Sequence, residues 1–203
     1  RTGAAILAGW PGAWSGYALT ASAGELAVQA LPAVFARERL DIGSRLLLPH
    51  VAKAASALQA GDSVLDLACG NGVLGLAALA ERKDLQFHFS DVSSQAVLSA
   101  RHNVEQAFPG AHASFSHCDG IDADAGAFDL ILLNPPFHEG GVVGDHIALR
   151  LFEQASEHLK PGGHMLMVGN RHLGYHRSLR RYFSCVEQLD ASPKFVVFRA
   201  GSR

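Results

Sequence analysis

The sequence has little of what builds secreted or metal-stapled scaffolds. It holds only three cysteines, Cys69, Cys118 and Cys185, in 203 residues. They are far apart, odd in number and form no CxxC pair, which argues against a disulfide framework or a zinc site and for reduced thiols in a cytosol. No metal is expected. No apolar run approaches the roughly 18–20 residues that span a bilayer, so no membrane role is expected either. The first residues, RTGAAILAGWPGAW, are too broken by glycine and proline for the apolar stretch of a signal peptide. An initiator Met is also missing, so the chain reads as a piece of something longer or as a processed product. The formal net charge is slightly negative, with 17 Lys and Arg against 19 Asp and Glu. A nucleic-acid surface, if there is one, must therefore be local. Repeats are absent, as are low-complexity tracts beyond the glycine-rich start.

What is present is length and alternation. A chain of this size can bury roughly 70% of its unfolded surface in one domain. Residues 1–24 show no convincing helical period, and residues 1–30 read as a lead-in, the remnant of an upstream junction. Within it, 17–20 and 25–30 are set to pair as a hairpin across Ala23-Gly24. Residues 31–203 read as the main domain. A helix over 44–58 is expected to break or kink near Pro49. Short apolar runs at 63–68, 85–90, 113–118 and 129–133 then alternate with helical stretches at 73–81, 93–107 and 146–159. Lys160-Pro161-Gly162-Gly163 reads as a stop signal before a fifth strand at 165–169, with another helix around 175–183. The last two runs, 186–189 and 194–200, lie too close together for a crossover helix and should pair antiparallel. Alternation of this kind predicts a mostly parallel, doubly wound α/β sheet.

The first strand runs into VLDLACGNGVLG, residues 64–75, where Gly70, Gly72 and Gly75 satisfy G-x-G-x-x-G. Glycine lets a backbone approach a ligand closely there, with helix amides pointing outward. Asp91, ending the second strand, is placed to accept from ribose hydroxyls. Asp66 lies inside the glycine turn, where a carboxylate suits the cationic amino group of a methionine moiety and would repel a pyrophosphate. That favours S-adenosylmethionine over a nicotinamide dinucleotide. Asp119, after the third strand in HCDG, is placed to meet an adenine's exocyclic amine.

The fourth strand ends in LILLNPPFHEGG. Proline cannot donate to a ladder, so Pro135 and Pro136 lie past the strand end. The Asn134 side-chain oxygen and the Pro135 carbonyl can accept both N–H bonds of a planar primary amine. Phe137 offers a face on which a base can stack, worth about 1–3 kcal/mol. His138 and Glu139 read as polar loop residues by default. Arg171, Arg177, Arg180 and Arg181, with His172 and His176, crowd into one short stretch. They fit either a phosphate-contacting patch or an ordinary solvated helix face. Arg37, Arg39 and Arg45 form a sparser second cluster.

VLDLACGNG together with NPPF resembles the class I S-adenosylmethionine-dependent methyltransferases that modify exocyclic or amide nitrogens. LPAVFARERLDIGSRLLL (31–48), NPPFHEGG (134–141) and GNRHLGYHRSLRRYF with KFVVFRA (169–200) narrow this. They are similar to the catalytic domain of the bacterial ribosomal RNA guanine-N2 methyltransferases, and the ending looks more like the large-subunit enzymes than the small-subunit ones. The resemblance implies a Rossmann-like fold, a seven-stranded mostly parallel sheet with a C-terminal antiparallel hairpin and helices on both faces. It implies cofactor contacts at Asp66, Ala68, Gly70, Asn71, Gly72, Asp91, Val92, Asp119 and Gly120. Asn134 would touch both cofactor and target amine, with Pro135 and Phe137 beside it. Asp41, Gly43 and Ser44 would cover the cofactor pocket. Family members usually carry a second, degenerate methyltransferase-like domain ahead of the catalytic one, which assists RNA binding; here only residues 1–30 precede the pattern. The motif itself names only a planar amine, so adenine N6 or a protein glutamine amide fits it too. A cofactor-free RNA-binding module is the alternative from another class, and the intact glycine loop counts against it.

Overall fold

The computed structural model describes residues 3–10, 12–136 and 143–202. A short helix α1 (Gly3–Ala8) leads to strands β1 (Ser15–Ala21) and β2 (Gly24–Ala30) and then to helix α2 (Ile42–Ala57). Strands β3 (Ser63–Leu67), β4 (Gln86–Asp91) and β5 (Ala113–His117) follow, separated by helices α3 (Val73–Glu81) and α4 (Ser94–Ala107). The second half runs β6 (Phe128–Leu133), α5 (Val143–Glu157) and β7 (Leu159–Asn170). It closes with a 3-10 turn (Arg171–Leu173), α6 (Tyr175–Leu179), β8 (Cys185–Ala191) and β9 (Phe195–Gly201).

Seven strands form one sheet in the order β5-β4-β3-β6-β7-β9-β8. The first five of these are parallel, and β9 runs antiparallel to both β7 and β8. This is the doubly wound sheet with a closing antiparallel pair that the alternation predicts. Its central strands β3, β6, β7 and β9 are buried on both faces, while the edge strands β5 and β8 are partly exposed. Along β6, Leu130 and Leu132 join the core under α2, α3 and α4, while Ile131 and Leu133 join the core under α5 and α6. Each such leucine contributes about 1.5–3 kcal/mol by leaving water. The chain steps from β3 outward to β4 and β5, then returns to lay β6 on the other flank of β3. Ligands of such sheets sit beyond the carboxyl ends of the strands at this reversal. Among the described residues no helix is long and apolar enough to cross a membrane.

Several elements differ from what the sequence predicts. Residues 3–8 are helical although no helical period is visible there. Pro49 lies inside α2 and does not end it. Lys160–Gly163 does not separate helix from strand. Partners along the β6–β7 ladder jump from Phe128↔Leu159 to Leu130↔His164, so these four residues bulge within a continuous strand. Gly162, at φ 81°, turns that bulge. The helix expected around 175–183 ends at Leu179.

The strands β1 and β2 pair from Ser15↔Ala30 to Ala21↔Gly24 and lie against α4. The free edge of β2 is tied down by side chains. Asn103 accepts from the Gln29 N–H (2.9 Å) and donates to the Gln29 carbonyl (2.7 Å), mimicking a strand partner. The Leu31 N–H donates to the Ser99 hydroxyl at 3.0 Å.

One glycine of the nucleotide motif has a packing role. A Cβ at Gly75 would run into the Phe89 ring. Gly75→Ala is therefore expected to destabilise the fold by about 1–3 kcal/mol through overpacking, measured as a lowered urea midpoint with an unchanged slope.

Candidate active site

The parallel pair Leu67↔Leu133 sets the carboxyl ends of β3 and β6 side by side. The glycine turn leaves one strand and Asn134-Pro135-Pro136 leaves the other. Between them opens a cavity of about 320 Å³, lined by Asp66, Ala68, Gly70, Asn71, Asp91, Val92, Ser44, Asn134 and Pro135 among others. That is room for a nucleoside-sized ligand. A larger cavity of about 600 Å³ lies near the other ends of these strands, around Asp62, Asp129 and Gly163, and holds none of the motif residues.

The turn after β3 is built by backbone conformations that side chains rarely adopt. Gly70 and Gly72 have φ of 54° and 80°, and Gly72 caps α3. Three non-glycine residues with positive φ occur among the described residues, namely Ala33 (66°), Ala36 (53°) and Ala68 (54°). All three line the cavity. Such strain persists only where the surroundings impose it, and it concentrates at functional sites.

Asp66 is 1% exposed and accepts from the Gly75 N–H at 2.8 Å. Burial is the main cause that pushes its carboxyl up to about 8; the Gly75 bond opposes this and Asp91 adds to it. An acid held this far from its usual range in a cavity is poised to pair with an incoming cation. The Asp91 carboxylate accepts from the Gly70 N–H (2.9 Å) through one oxygen and from the Ser93 N–H (2.8 Å) through the other. It thereby pins the glycine turn to the start of α4, with lone pairs left for ribose hydroxyls.

Asn71 lies beneath the turn. Its side chain donates to the Tyr17 hydroxyl (3.3 Å) and the Ala36 carbonyl (3.4 Å), and its backbone carbonyl accepts from the Asn103 amide (2.9 Å). The β1–β2 ribbon is thus wired to the site through a buried polar side chain on α4. A polar residue facing the core from an amphipathic helix was the available signal for Asn103, and motif reasoning passes over it.

Asn134 is held from the far side. Its amide nitrogen donates to Asp41 Oδ2 (3.1 Å) and to the Ser44 hydroxyl (3.0 Å). Its Oδ1 is buried and has no partner among the described residues. A buried carbonyl oxygen without a donor is costly, of order 1–3 kcal/mol, unless something arrives to satisfy it. Gly43 packs between these groups: a Cβ there would come within 3.0 Å of Asp41 Oδ2 and 3.3 Å of the Phe195 ring.

Other expected residues fall elsewhere. Asp119 pairs with Arg150 at 2.6 Å, which holds its carboxyl below the usual range, and neither Asp119 nor Gly120 lines the cavity. Phe137, His138 and Glu139 lie outside the described residues. Val34 and Phe35, inside the LPAVFARERLDIGSRLLL stretch but not among the expected contact residues, also line the wall, and Phe35 is 59% exposed. Arg171, Arg177, Arg180 and Arg181 are all exposed, and none joins an ion pair among the described residues. Arg171 follows the carboxyl end of β7, the same end of the sheet as Asn134, whereas Arg180 and Arg181 lead toward β8, whose first residue, Cys185, is level with His164 near the other end. The Arg171 N–H donates to the Lys194 carbonyl at 2.8 Å, which adds an exposed lysine to the cluster.

The model of the methyltransferase small domain matches residues 25–199. The ribosomal RNA large subunit methyltransferase G of Alcanivorax borkumensis is 49% identical over 166 residues, which is 82% of this chain and 42% of that protein. The enzyme of the same name from Pseudomonas paraeruginosa is 48% identical, over 83% of this chain and 44% of that protein. The chain therefore spans less than half the length of these curated relatives. Among solved structures, the T. thermophilus 16S rRNA N2 G1207 methyltransferase, in complex with AdoMet and guanosine, superposes with a TM-score of 0.83 at 29% identity. It covers 95% of this chain, which spans 52% of that one.

Proposed function

We propose, for a chain that belongs to the methyltransferase small domain family, that its cavity binds S-adenosylmethionine and directs methyl transfer to the exocyclic N2 amine of a guanine in ribosomal RNA. The observation that carries this reading is the buried Oδ1 of Asn134, without a partner among the described residues, at the lip of a cavity that also contains Asp66 and Asp91. It supplies the acceptor that a planar amine needs, beside groups suited to an amino-acid ammonium and a ribose. The choice of guanine and of ribosomal RNA follows the relatives; a cytoplasmic location is proposed from the spacing of the free thiols.

The residues fit the cofactor. Asp66 would face the ammonium of its methionine part, the Gly70–Gly72 turn would allow close approach, and Asp91 would take the ribose hydroxyls. When bound, S-adenosylmethionine supplies an electrophilic methyl on a sulfonium. The protein's own part is positioning and electrostatics. Asn134 Oδ1 and the Pro135 carbonyl accept the two N–H bonds of the amine. That arrangement favours a pyramidal nitrogen whose lone pair is directed away from both acceptors. No base would be needed before attack: the nitrogen keeps both protons while its lone pair takes the methyl, becomes cationic, and then releases the extra proton to water. The target base must be unpaired or swung out of a helix to reach this position.

Isothermal calorimetry with S-adenosylmethionine tests the first half. Binding that Asp91→Ala weakens is expected. No binding would return the chain to a cofactor-free RNA module. The arginine cluster is proposed as the RNA-facing surface. Replacing Arg171, Arg177, Arg180 and Arg181 by glutamine should weaken RNA binding and flatten its salt dependence, by about 0.7 in log–log slope for each single-strand phosphate left without its arginine. An unchanged slope would mark the cluster as a solvated face.

A further inference from the structure

We infer that Asp41 and Ser44 are positioning residues: together they fix which end of the Asn134 amide faces the acceptor amine. The inference rests on the amine-gripping role proposed for Asn134 and reaches beyond it, because both residues sit on a separate element, at the start of α2, and act on the amine through the Asn134 amide.

An asparagine amide is nearly symmetric in shape, and its rotation by 180° exchanges an acceptor for a donor. Flipped, Asn134 would present N–H groups to an amine that itself only offers N–H, and the grip would fail. The first turn of α2 prevents this. Asp41 is the N-cap of α2, at φ −62° and ψ 146°, and its Oδ2 accepts from the Ser44 N–H at 2.9 Å. The same oxygen accepts from the Asn134 amide at 3.1 Å. The Ser44 hydroxyl, on a side chain only 4% exposed, takes a bond from the same amide nitrogen at 3.0 Å. A carboxylate only accepts. Turning the amide over would set Asn134 Oδ1 against Asp41 Oδ2, two acceptors facing each other without a proton between them. The unflipped form is the one in which both bonds exist and Oδ1 is left free. A charge-assisted bond to the N–H side also draws electron density toward Oδ1, which strengthens it as an acceptor.

The geometry explains why the cap is an aspartate. Asparagine caps helices about as well as aspartate, so capping alone does not require the acid. Only the acid reads the orientation of Asn134, because an asparagine at position 41 can present either end of its own amide.

Asp41→Asn separates the two roles. The cap is retained, so thermal stability and cofactor affinity should stay near wild type while kcat falls by up to about a hundredfold, the scale of a small misplacement of a reacting group. Ser44→Ala, which leaves the carboxylate in place, should have a smaller effect on kcat. A second readout needs no turnover. The side-chain 1H–15N signals of Asn134, identified by their loss in Asn134→Ala, should lie downfield and exchange slowly in wild type. In Asp41→Asn they should move upfield and exchange faster. Wild-type kcat in Asp41→Asn, or unmoved Asn134 signals, would overturn the inference. If the signals move as expected but the wild-type chain methylates no guanine, the clamp stands and the proposed reaction falls.

Discussion

Asn134→Ala is expected to lower kcat for methyl transfer by about 10²–10³-fold, the scale seen when one preorganised polar group is removed from a transition state, while S-adenosylmethionine affinity changes only a few-fold. The split follows from where the side chain acts. Asn134 Oδ1 has no partner among the described residues, so the bond it makes to the amine is not already spent inside the protein. The cofactor has other anchors, in Asp66, Asp91 and the glycine turn between them. Binding should therefore survive and chemistry should not. Single-turnover rates at saturating cofactor, with calorimetry on the same variant, measure the two effects separately. Retained turnover would remove the amine-gripping role.

The second large effect is expected at Asp66. Asp66→Asn keeps an acceptor for the Gly75 N–H but removes the charge. Loss of one partner from a buried charge pair costs about 2–5 kcal/mol, so cofactor affinity should fall roughly 30-fold to several-thousand-fold. The ligand-free protein should respond in the opposite direction. The folded carboxyl is raised from its usual value of 3.8 to about 8. A group raised in this way contributes stability below its unfolded value, and that contribution is lost as pH climbs toward the folded one. Wild-type stability should thus decline from about pH 4 to pH 8 by an amount that Asp66→Asn does not show, and the variant should gain on wild type at pH 8 and above. Cofactor binding requires the ionised acid. Below about pH 7.5, where an α-amino group stays protonated, affinity should rise with pH in wild type and stay flatter in Asp66→Asn. Parallel urea titrations at pH 6 and pH 9 check the first statement; calorimetry between pH 6 and pH 7.5 checks the second.

The parts of the fold that local chemistry dictates were legible in the sequence. Four buried runs between helical stretches predict β3 to β6, and the short spacing of the last two runs predicts their antiparallel pairing. Ser93 caps α4 where the helix was expected to begin. The glycine turn and Asn134-Pro135 could be assigned to one site because both follow strand ends, and the Leu67↔Leu133 pairing sets them together. Long-range pairing was illegible. Nothing in LDIGS says that Asp41 will bond a side chain 93 residues later, and Asp119 gives no local sign that Arg150 will claim it. Lys160-Pro161-Gly162-Gly163 carries every mark of a chain stop, yet pairing with β6 resumes beyond it, from Phe128↔Leu159 to Leu130↔His164, so it forms a bulge within one strand. Asn103 is one polar residue in an amphipathic helix, and its importance comes from the edge of β2 that it completes.

The measurement closest to the proposed reaction is nucleoside mapping. The chain is incubated with methyl-labelled S-adenosylmethionine and unmodified ribosomal RNA, free and in subunits, and the RNA is digested to nucleosides. Label in N2-methylguanosine at a single position is the predicted result. Label in N6-methyladenosine, label in protein, or no transfer to any RNA would contradict it.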